Sequence, residues 1–304
     1  MQIETLKVFC DVIETQSFSK AASLNYISQS AVSQQIRALE EKYGRRLIER
    51  GKRSLVPTQA GQALFEGARD ILERFRSMEN HLQVLSNSIA GDLRVATVYS
   101  VGLHELPPYL KDFLRRYPAA RIHLEYSRAN RIYDDVASGS VDLGIVAYPV
   151  KRSGLEVLPF REDRLVVICA PEHRLAGLTE IRVETLDRER FIAFDKDVPT
   201  RRAVDRILRA HNATVEVVTE FDNIETIKRA VEIDAGISVV PQVTVSSEMK
   251  TATLCAIPFS GKGYSRQLGI LLRRGRARTQ VMDRFLALLQ EAPPVLEPVA
   301  AGTV

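Results

Sequence analysis

Five polar side chains near the start of the chain have the chemistry needed to form hydrogen bonds with the edges of DNA bases. They are Gln29, Ser30, Ser33, Gln34 and Arg37. Glutamine can bond adenine through both amide atoms, arginine can bond guanine through two N–H groups, and serine can donate or accept at bases and phosphates. At helical spacing these positions share one face, and apolar residues occupy the opposite face. A solvated helix face has the same composition, so the neighbouring elements decide between the two interpretations.

The segment around these residues predicts a helix-turn-helix. Apolar residues at helical spacing over 3–13 predict a first helix, and the hydroxyl of Ser17 can cap a short second helix near 20–24. Ser28 is a candidate cap for a third helix that runs to about Tyr43, where Gly44 can end it. Two short helices and a tight turn ahead of the polar face favour base reading over a solvated face.

A basic segment overlaps the end of the third helix. Between residues 37 and 53 seven basic side chains stand against three acidic ones, and this excess of four equals the formal net charge of the whole chain. Arg50, Lys52 and Arg53 lie at a turn between two strand-like pieces, 46–48 and 55–56. A basic hairpin tip beside a recognition helix is suited to contacts with phosphates or the minor groove. The sequence therefore predicts a wing.

Residues 6–61 resemble the LysR-type transcriptional regulators. The matching residues are Leu6, Phe9, Ser17, Phe18, Ser19, Ala21, Ala22, Leu24, Ser28, Gln29, Ala31, Val32, Ser33, Gln35, Ile36, Leu39, Glu40, Gly44, Leu47, Arg50, Pro57, Thr58 and Gly61. The chain departs from the family at Ser30, where proline is usual, and at Ile48, where phenylalanine is usual. The predicted DNA-binding residues are Ser28, Gln29, Ser30, Ser33, Gln34, Arg37, Arg50, Lys52 and Arg53.

The resemblance implies an α/β multidomain protein. A mainly α winged helix-turn-helix domain would occupy residues 1–58, a coiled-coil linker and dimerisation helix 59–90, and an effector-binding domain 91–291. The effector-binding domain would be α/β and periplasmic-binding-protein-like. Its first subdomain would span about 91–161 and 266–291, and its second about 162–265. The tail at 292–304 is rich in proline, alanine and valine and is expected to be disordered.

Residues 59–89 predict one long helix, which Gly91 and Asp92 are expected to end. Its apolar residues step alternately by four and three: Leu64, Ala68, Ile71, Phe75, Met78, Leu82, Leu85 and Ile89. A seven-residue repeat sustained over three heptads favours a coiled-coil seam between two chains. Packing against the chain's own second domain is the alternative. A dimer could read two half-sites of a pseudo-palindrome, and the resemblance implies dimers that often assemble into tetramers.

From residue 93 onward, short apolar runs alternate with helical segments, which predicts a mostly parallel sheet covered by helices. The predicted strands are 93–98, 121–126, 141–146, 165–170, 191–194, 215–221, 237–240 and 267–272. The predicted helices are 106–117, 131–138, 200–211, 224–235 and 280–289. The resemblance implies that the chain crosses between subdomains near 160–163 and returns near 262–266.

Ligands of open α/β sheets bind at the carboxyl ends of strands, where helix starts offer free backbone N–H groups. The residues predicted to bind an effector there are Tyr99, Ser100, Val101, Asn130, Tyr148, Thr200, Arg201, Asp222 and Asn223. The resemblance implies that Ser100 and Thr200 hold the effector, although residues 197–199 replace a Ser-Gly-Thr or Ser-Gly-Ser element common in the family. Either hydroxyl could serve only as a helix cap. Because donors outnumber nearby acids, we expect a small anionic or polar effector.

Two other functions are alternatives to a regulator. The five histidines share no metal-ligand spacing, and CxxC, HExxH and GxSxG motifs are absent, so neither an enzyme nor a metal or cofactor is expected. A cytoplasmic solute-binding protein without a transcriptional role is the second alternative. Three dispersed cysteines, no signal peptide and no apolar membrane span favour the cytoplasm. The expected partners are double-stranded promoter DNA, a small-molecule effector, further copies of the chain and RNA polymerase.

Overall fold

The computed structural model describes residues 2–50, 55–84 and 89–291, without the side chains of residues 50, 76–77 and 79–84. The chain forms two compact units, which divide after residue 87. None of the described helices has the length and apolar composition needed to cross a membrane. The predicted wing residues Lys52 and Arg53, the seam residue Leu85 and the tail at 292–304 lie outside the described residues.

The first unit is a winged helix-turn-helix followed by a long helix. Its elements are α1 (Ile3–Thr15), α2 (Phe18–Leu24), α3 (Gln29–Tyr43), β1 (Ile48–Arg50), β2 (Leu55–Pro57) and α4 (Gln59–Val84). The predicted caps are present: the hydroxyls of Ser17 and Ser28 accept backbone N–H groups, and Gly44 ends α3 at φ +61°. The two wing strands pair antiparallel, and the first begins at Ile48, later than predicted.

The beginning of the α4 stripe is covered within the first unit. Leu64 packs against the core of the winged helix-turn-helix, and Ala68 is 1% exposed beside Leu6 and Cys10 of α1. The prediction of a seam between chains is therefore corrected for Ala68, whereas Leu64 is only half-buried and for it the seam stays a prediction. A seven-residue repeat shows that one helix face is apolar, but it does not show which neighbouring surface covers that face.

The middle of the stripe is more open. Ile71 and Met78 are 47% and 49% exposed, and Phe75 is half-buried. Leu82 lies within α4, although its side chain is outside the description. Part of the apolar stripe therefore stays exposed, because α1 covers only the first turns of α4.

The end of the predicted linker helix differs from expectation. Ile89 lies outside α4 and packs against the core of the second unit. Gly91 does not end the helix, because it begins the first strand of the second unit with φ +126°. The helical period of the sequence runs past the observed helix because an apolar residue at the right spacing can instead belong to the next core.

The second unit is an α/β domain. In its first half the elements are β3 (Gly91–Thr97), α5 (Tyr99–His104), α6 (Pro107–Arg116), β4 (Ala120–Tyr126), α7 (Ala129–Ser138), β5 (Leu143–Ala147) and β6 (Leu155–Cys169). They are followed by β7 (Arg190–Phe194), α8 (Pro199–Ala210), β8 (Glu216–Phe221), α9 (Ile224–Glu232), β9 (Ser238–Pro241), α10 (Ser246–Thr251), β10 (Cys255–Pro258), β11 (Tyr264–Arg273) and α11 (Gln280–Gln290). Helices α5 and α10 and strand β10 are absent from the sequence-based assignment.

The main sheet is mixed rather than mostly parallel, which corrects the prediction. Strand β3 pairs in parallel with β4 and β5, whereas β11 pairs antiparallel with β5 and β6, and β6 antiparallel with β9 and β10. Strands β7 and β8 form a separate parallel pair. The parallel part carries the βαβ alternation visible in the sequence, and the antiparallel part comes from long-range pairing that local periodicity does not report.

Two lobes with separate apolar cores make up the second unit. The core of the first lobe joins β3, β5, α6, α11 and the end of β11, and the core of the second lobe joins β6, β7, α8 and β9. The chain passes between the lobes inside β6 and returns inside β11. The predicted crossings therefore fall within two continuous strands, which pair with each other and connect the two lobes.

Candidate DNA-reading surface and effector cleft

Helix α3 separates an apolar face from a polar one. Val32, Ile36 and Leu39 are at most 2% exposed and pack in the core of the first unit. On the other face Gln29, Ser30, Gln34 and Arg37 are exposed and Ser33 is half-buried. This arrangement follows from the alternation of the two stripes around a helical turn. It leaves amide and guanidinium groups free to meet a partner.

Ser28 has a structural role at the start of this face. Its Oγ accepts the backbone N–H of Ala31 at 3.1 Å and lies 2.8 Å from the Oγ of Ser30. The family's usual proline at position 30 would fix the first helical turn by its ring. Here a pair of serine hydroxyls occupies that turn, so Ser28 and Ser30 already bond each other.

Side chains from α3 and from the start of α4 fix the base of the wing. Glu40 Oε1 accepts the backbone N–H groups of Leu47 at 2.9 Å and Ile48 at 3.3 Å. Thr58 Oγ1 donates to the carbonyl of Arg46 at 2.8 Å and accepts from Gly61 N at 3.0 Å. A Cβ on Gly61 would lie 1.9 Å from the Leu47 carbonyl oxygen, so only glycine permits this approach.

The cleft of the second unit lies between the two lobes and encloses about 720 Å³, counting the space open to solvent. The first lobe and the connecting strands line it with Val98, Tyr99, Ser100, Ser127, Arg128, Ala129, Asn130, Ala147 and Arg266. The second lobe lines it with Phe194, Asp197, Val198, Pro199, Thr200, Asp222, Asn223 and Ile224. The cleft therefore collects the ends of several strands and the starts of the helices that follow them.

Three of these helices begin without a side-chain cap among the described residues. Helix α5 begins after Val98, α7 after Arg128 and α8 after Val198. By contrast, Asn223 Oδ1 caps α9 by accepting the backbone N–H of Thr226 at 3.0 Å. The first backbone N–H groups of a helix have no acceptor inside the helix and carry partial positive charge. Three such helix starts in one cleft favour an anionic ligand.

The floor of the cleft is formed by Arg266, Asp163 and Ser100. Arg266 is 1% exposed, and its Nε and Nη2 donate to Asp163 Oδ2 at 3.1 and 2.9 Å. Its Nη1 donates to Ser100 Oγ at 2.9 Å. The register of β6 and β11 places Arg266 directly opposite Asp163. Burial raises the pKa of Asp163 and lowers the pKa of Arg266, so the ions depend on each other for stabilisation.

The mouth of the cleft is formed by Arg128 of the first lobe with Asp195, Asp197 and Asp222 of the second. The Arg128 guanidinium lies 2.8 Å from Asp197, 3.2 Å from Asp195 and 3.5 Å from Asp222. Hydrogen bonding to Asp197 raises the pKa of Arg128 above its usual value. Arg128 is 56% exposed at its side chain, so these bridges join the lobes at the solvent boundary.

Comparisons with known proteins identify both units. Residues 3–62 match the bacterial regulatory helix-turn-helix protein model of the lysR family, and residues 86–294 match the LysR substrate binding domain. The chain belongs to the LysR family. This LysR-type protein is a DNA-binding transcriptional regulator, and its family consists of regulators rather than enzymes. The helix-turn-helix match decides against a solute-binding protein without a transcriptional role.

Individual relatives span nearly the whole regulator. It is 31% identical over 285 residues to the RuBisCO operon transcriptional regulator of Allochromatium vinosum, covering 94% of each chain. A full-length OxyR variant from Pseudomonas aeruginosa shares the fold with a TM-score of 0.75 at 23% identity, covering 98% of this chain and 99% of that one. The Synechocystis PCC6803 CcmR regulatory domain, solved in complex with 2-PG, is 30% identical with a TM-score of 0.60, covering 66% of this chain and 95% of that one.

Six of the nine predicted effector-binding residues line the regulator's cleft. They are Tyr99, Ser100, Asn130, Thr200, Asp222 and Asn223. Val101 does not line it, because its side chain is fully buried in the core of the first lobe. Tyr148 also lies outside the lining, and its buried hydroxyl has no hydrogen-bond partner among the described residues.

Arg201, predicted to bind the effector, does not line the cleft. Its side chain is 9% exposed and points away from the cleft, donating to Glu220 at 2.8 Å, Asp205 at 2.9 Å and the Phe194 carbonyl at 2.6 Å. The expectation that donors outnumber acids is also wrong at the mouth, where three carboxylates meet one guanidinium. Position in the first turn of a helix does not fix side-chain direction.

Arg266 and Arg128 were not among the residues predicted to bind the effector. Arg266 stands in a strand that is otherwise largely apolar at its inward positions, and an inward-facing charge in such a strand is a detectable signal. Its partner Ser100 lies 166 residues away, so the pairing itself needed the strand register. Arg128 gave no comparable signal, because its three partners belong to the other lobe.

Proposed function

We propose that this regulator reads promoter DNA with the exposed face of α3 and supports that contact with its wing. The side chains proposed to reach bases are Gln29, Ser33, Gln34 and Arg37, and Arg50, Lys52 and Arg53 would contact the phosphate backbone. Ser28 and Ser30 would position the start of the helix and contact phosphates. The exposure of the amide and guanidinium groups on α3, opposite a fully buried face, supports this assignment.

Two arginine substitutions test the division between base reading and backbone contact. Arg37→Ala should reduce the ratio of specific to random DNA binding, since a bidentate base contact contributes about 1–3 kcal/mol of discrimination. Arg53→Ala should weaken binding to both DNAs alike and lower the salt slope by about one. Fluorescence anisotropy with promoter and scrambled duplexes measures both quantities. Equal losses on both duplexes for Arg37→Ala would remove it from the base-reading set.

The proposed domain division is a DNA-binding domain at 1–58, a linker helix at 59–90 and an effector domain at 91–291. The exposed Ile71 and Met78 of α4, with the half-buried Phe75 between them, support pairing of two chains along this helix. We expect a cytoplasmic homodimer or homotetramer that binds pseudo-palindromic promoter sites and contacts RNA polymerase there.

The proposed effector is a small anion bound between the lobes. The observation that carries this proposal is the convergence of three uncapped helix starts on a cleft whose floor contains the buried Arg266. Ser100 and Thr200 would bond the anion from α5 and α8, and Asn130 from α7. Tyr99, Asp222 and Asn223 would shape the remainder of the cleft. The 2-PG complex of the related CcmR regulatory domain supports the same chemistry.

Calorimetry with 2-PG, other phosphorylated metabolites and small organic acids tests the effector proposal. Ser100→Ala should weaken binding by about tenfold, since it removes one hydrogen bond to a charged ligand. Ser246→Ala, at an exposed site outside the cleft, is the matched control. If only cationic ligands stabilised the protein, the anion proposal would be refuted.

The lobes provide a route from effector to DNA. An effector that bonds both lobes stabilises one inter-lobe angle over others, because it contributes binding energy only when both lobes reach it. We propose that this angle biases the geometry of paired linker helices and so the spacing of the two reading helices. Promoter affinity measured with and without the effector should differ by the same factor by which promoter DNA changes effector affinity.

A further inference from the structure

The two ends of the effector cleft differ in their balance of charged groups. The floor presents the cation Arg266 to the cleft, and the counter-ion Asp163 lies behind it, outside the lining. The mouth presents Asp197 and Asp222 to the cleft together with Arg128. A ligand that enters the cleft therefore meets a guanidinium balanced by a buried carboxylate at the inner end, and an excess of carboxylates at the negative outer end.

The inner end is desolvated. Arg266 is 1% exposed, and Nη1 donates to the Ser100 hydroxyl at the beginning of α5. Electrostatic attraction is strong where water is excluded, so an anionic group placed here gains more than it would at the mouth.

The negative end has more carboxylates than cations. Arg128 is the cation that lines the mouth, and it is already bonded to three carboxylates, Asp195, Asp197 and Asp222. Lys196 stands between two of them in the sequence, but its side chain does not line the cleft. Asp197 and Asp222 are 48% and 47% exposed, so solvent weakens their field without cancelling it.

We propose that the mouth of the cleft selects against any ligand whose second anionic group reaches it, so that the effector is a compact anion with an uncharged or donor-bearing outer end. This inference rests on the proposed effector cleft and assigns its ligand class. Its specificity-determining residues are Asp197 and Asp222, aided by Asp195. Short ligands that hold all their negative charge at the floor escape the selection.

Glycerol 3-phosphate and 3-phosphoglycerate form a matched pair of probes. The two have the same chain length and one phosphate each, and they differ by a hydroxymethyl group against a carboxylate at the far end. At an effective dielectric constant of about 40–80 and a separation of about 6 Å, one uncompensated carboxylate disfavours another by roughly threefold to tenfold. Calorimetry on the full chain should therefore show glycerol 3-phosphate binding about tenfold more tightly, with the ratio shrinking as salt rises.

Two variants separate the charge of the mouth from its bridging role. Asp197→Asn with Asp222→Asn removes two negative charges and should bring the affinity ratio of the two probes close to one. Arg128→Gln breaks the same bridges but leaves the acids unneutralised, so it should increase the ratio. Both variants weaken the contact between the lobes, but only the charge explanation predicts that they change the affinity ratio of the two probes in opposite directions.

The outcomes separate this inference from the function on which it rests. Equal or tighter binding of 3-phosphoglycerate by the unmodified protein would overturn the selectivity of the mouth while leaving an anion cleft intact. A shift of the ratio in the same direction in both variants would assign the effect to lobe contact and overturn the charge argument. If neither probe bound at millimolar concentration, while promoter binding persisted, the anion cleft itself would be refuted.

Discussion

Replacing Arg266 with methionine should destabilise the second unit by leaving a buried carboxylate without its cation. Methionine has a comparable length and fills the space without charge. Asp163, which is 6% exposed, would lose both of its hydrogen bonds from the guanidinium. Ser100 would lose the donor to its hydroxyl at the same time.

The expected loss is about 3–5 kcal/mol, which is the usual cost of removing one partner of a buried ion pair. For a unit of this size that corresponds to a fall in Tm of roughly 10 °C. The double variant Arg266→Met with Asp163→Asn should recover at least half of the loss, because the neutral amide leaves no buried charge and can still accept the backbone hydrogen bond from Val243.

The loss should also depend on pH. Burial already raises the folded-state pKa of Asp163 above its unfolded value, and removing Arg266 raises it further. A raised carboxyl pKa favours the protonated form in the folded state, so the penalty appears as pH rises above the unfolded value of about 3.9 and is complete above the folded one. Arg266→Met should therefore be closer to the unmodified protein in stability at acidic pH than at neutral pH.

Thermal unfolding followed by circular dichroism measures these stabilities, because the chain has no tryptophan for fluorescence. Hydrogen exchange of peptides from β6 and β11 assigns the transition to the second unit. The reasoning would fail if Arg266→Met with Asp163→Asn were as unstable as Arg266→Met alone, or if the loss did not vary with pH.

Three further predictions concern the first unit. Gly61→Ala should lower the stability of the first unit by several kcal/mol and reduce DNA binding, because the new Cβ would lie 1.9 Å from the Leu47 carbonyl oxygen. Urea denaturation measures the stability, and an unchanged value would contradict the position of the wing beside Gly61. Ile71→Ser with Met78→Ser should raise the dimer dissociation constant in analytical ultracentrifugation without changing the monomer's circular dichroism, since both side chains are about half exposed. Ser28→Ala should lower stability by about 1 kcal/mol through loss of the α3 cap, and unchanged stability would show that Ser30 replaces it.

The first unit was the more predictable of the two because its determinants are local. Residues only a few positions away in the sequence determine the caps at Ser17 and Ser28, the end of α3 at Gly44 and the two faces of α3. The partner of the α4 stripe was not predictable in this way. Ala68 satisfies a heptad pattern equally well whether a second chain or α1 covers it.

The cleft was predictable in position but not in charge. Strand ends followed by helix starts indicated where Ser100, Asn130 and Thr200 would meet, because that rule needs only the order of elements. The direction of the Arg201 side chain on α8 depended on Glu220, which comes from strand β8. The approach of Arg266 to Asp163 depended on the pairing of two strands far apart in sequence.

The pairing of β6 with β11 also sets the order in which a newly made chain can acquire its parts. Strand β11 lies between β5 and β6 in the main sheet, and α11 packs in the first-lobe core, although both come from the last part of the described chain. While the ribosome still holds these residues, the first lobe lacks an inner strand and the cleft lacks Arg266. A chain cut short before β11 would keep the whole DNA-reading unit yet have no floor on which an effector could act.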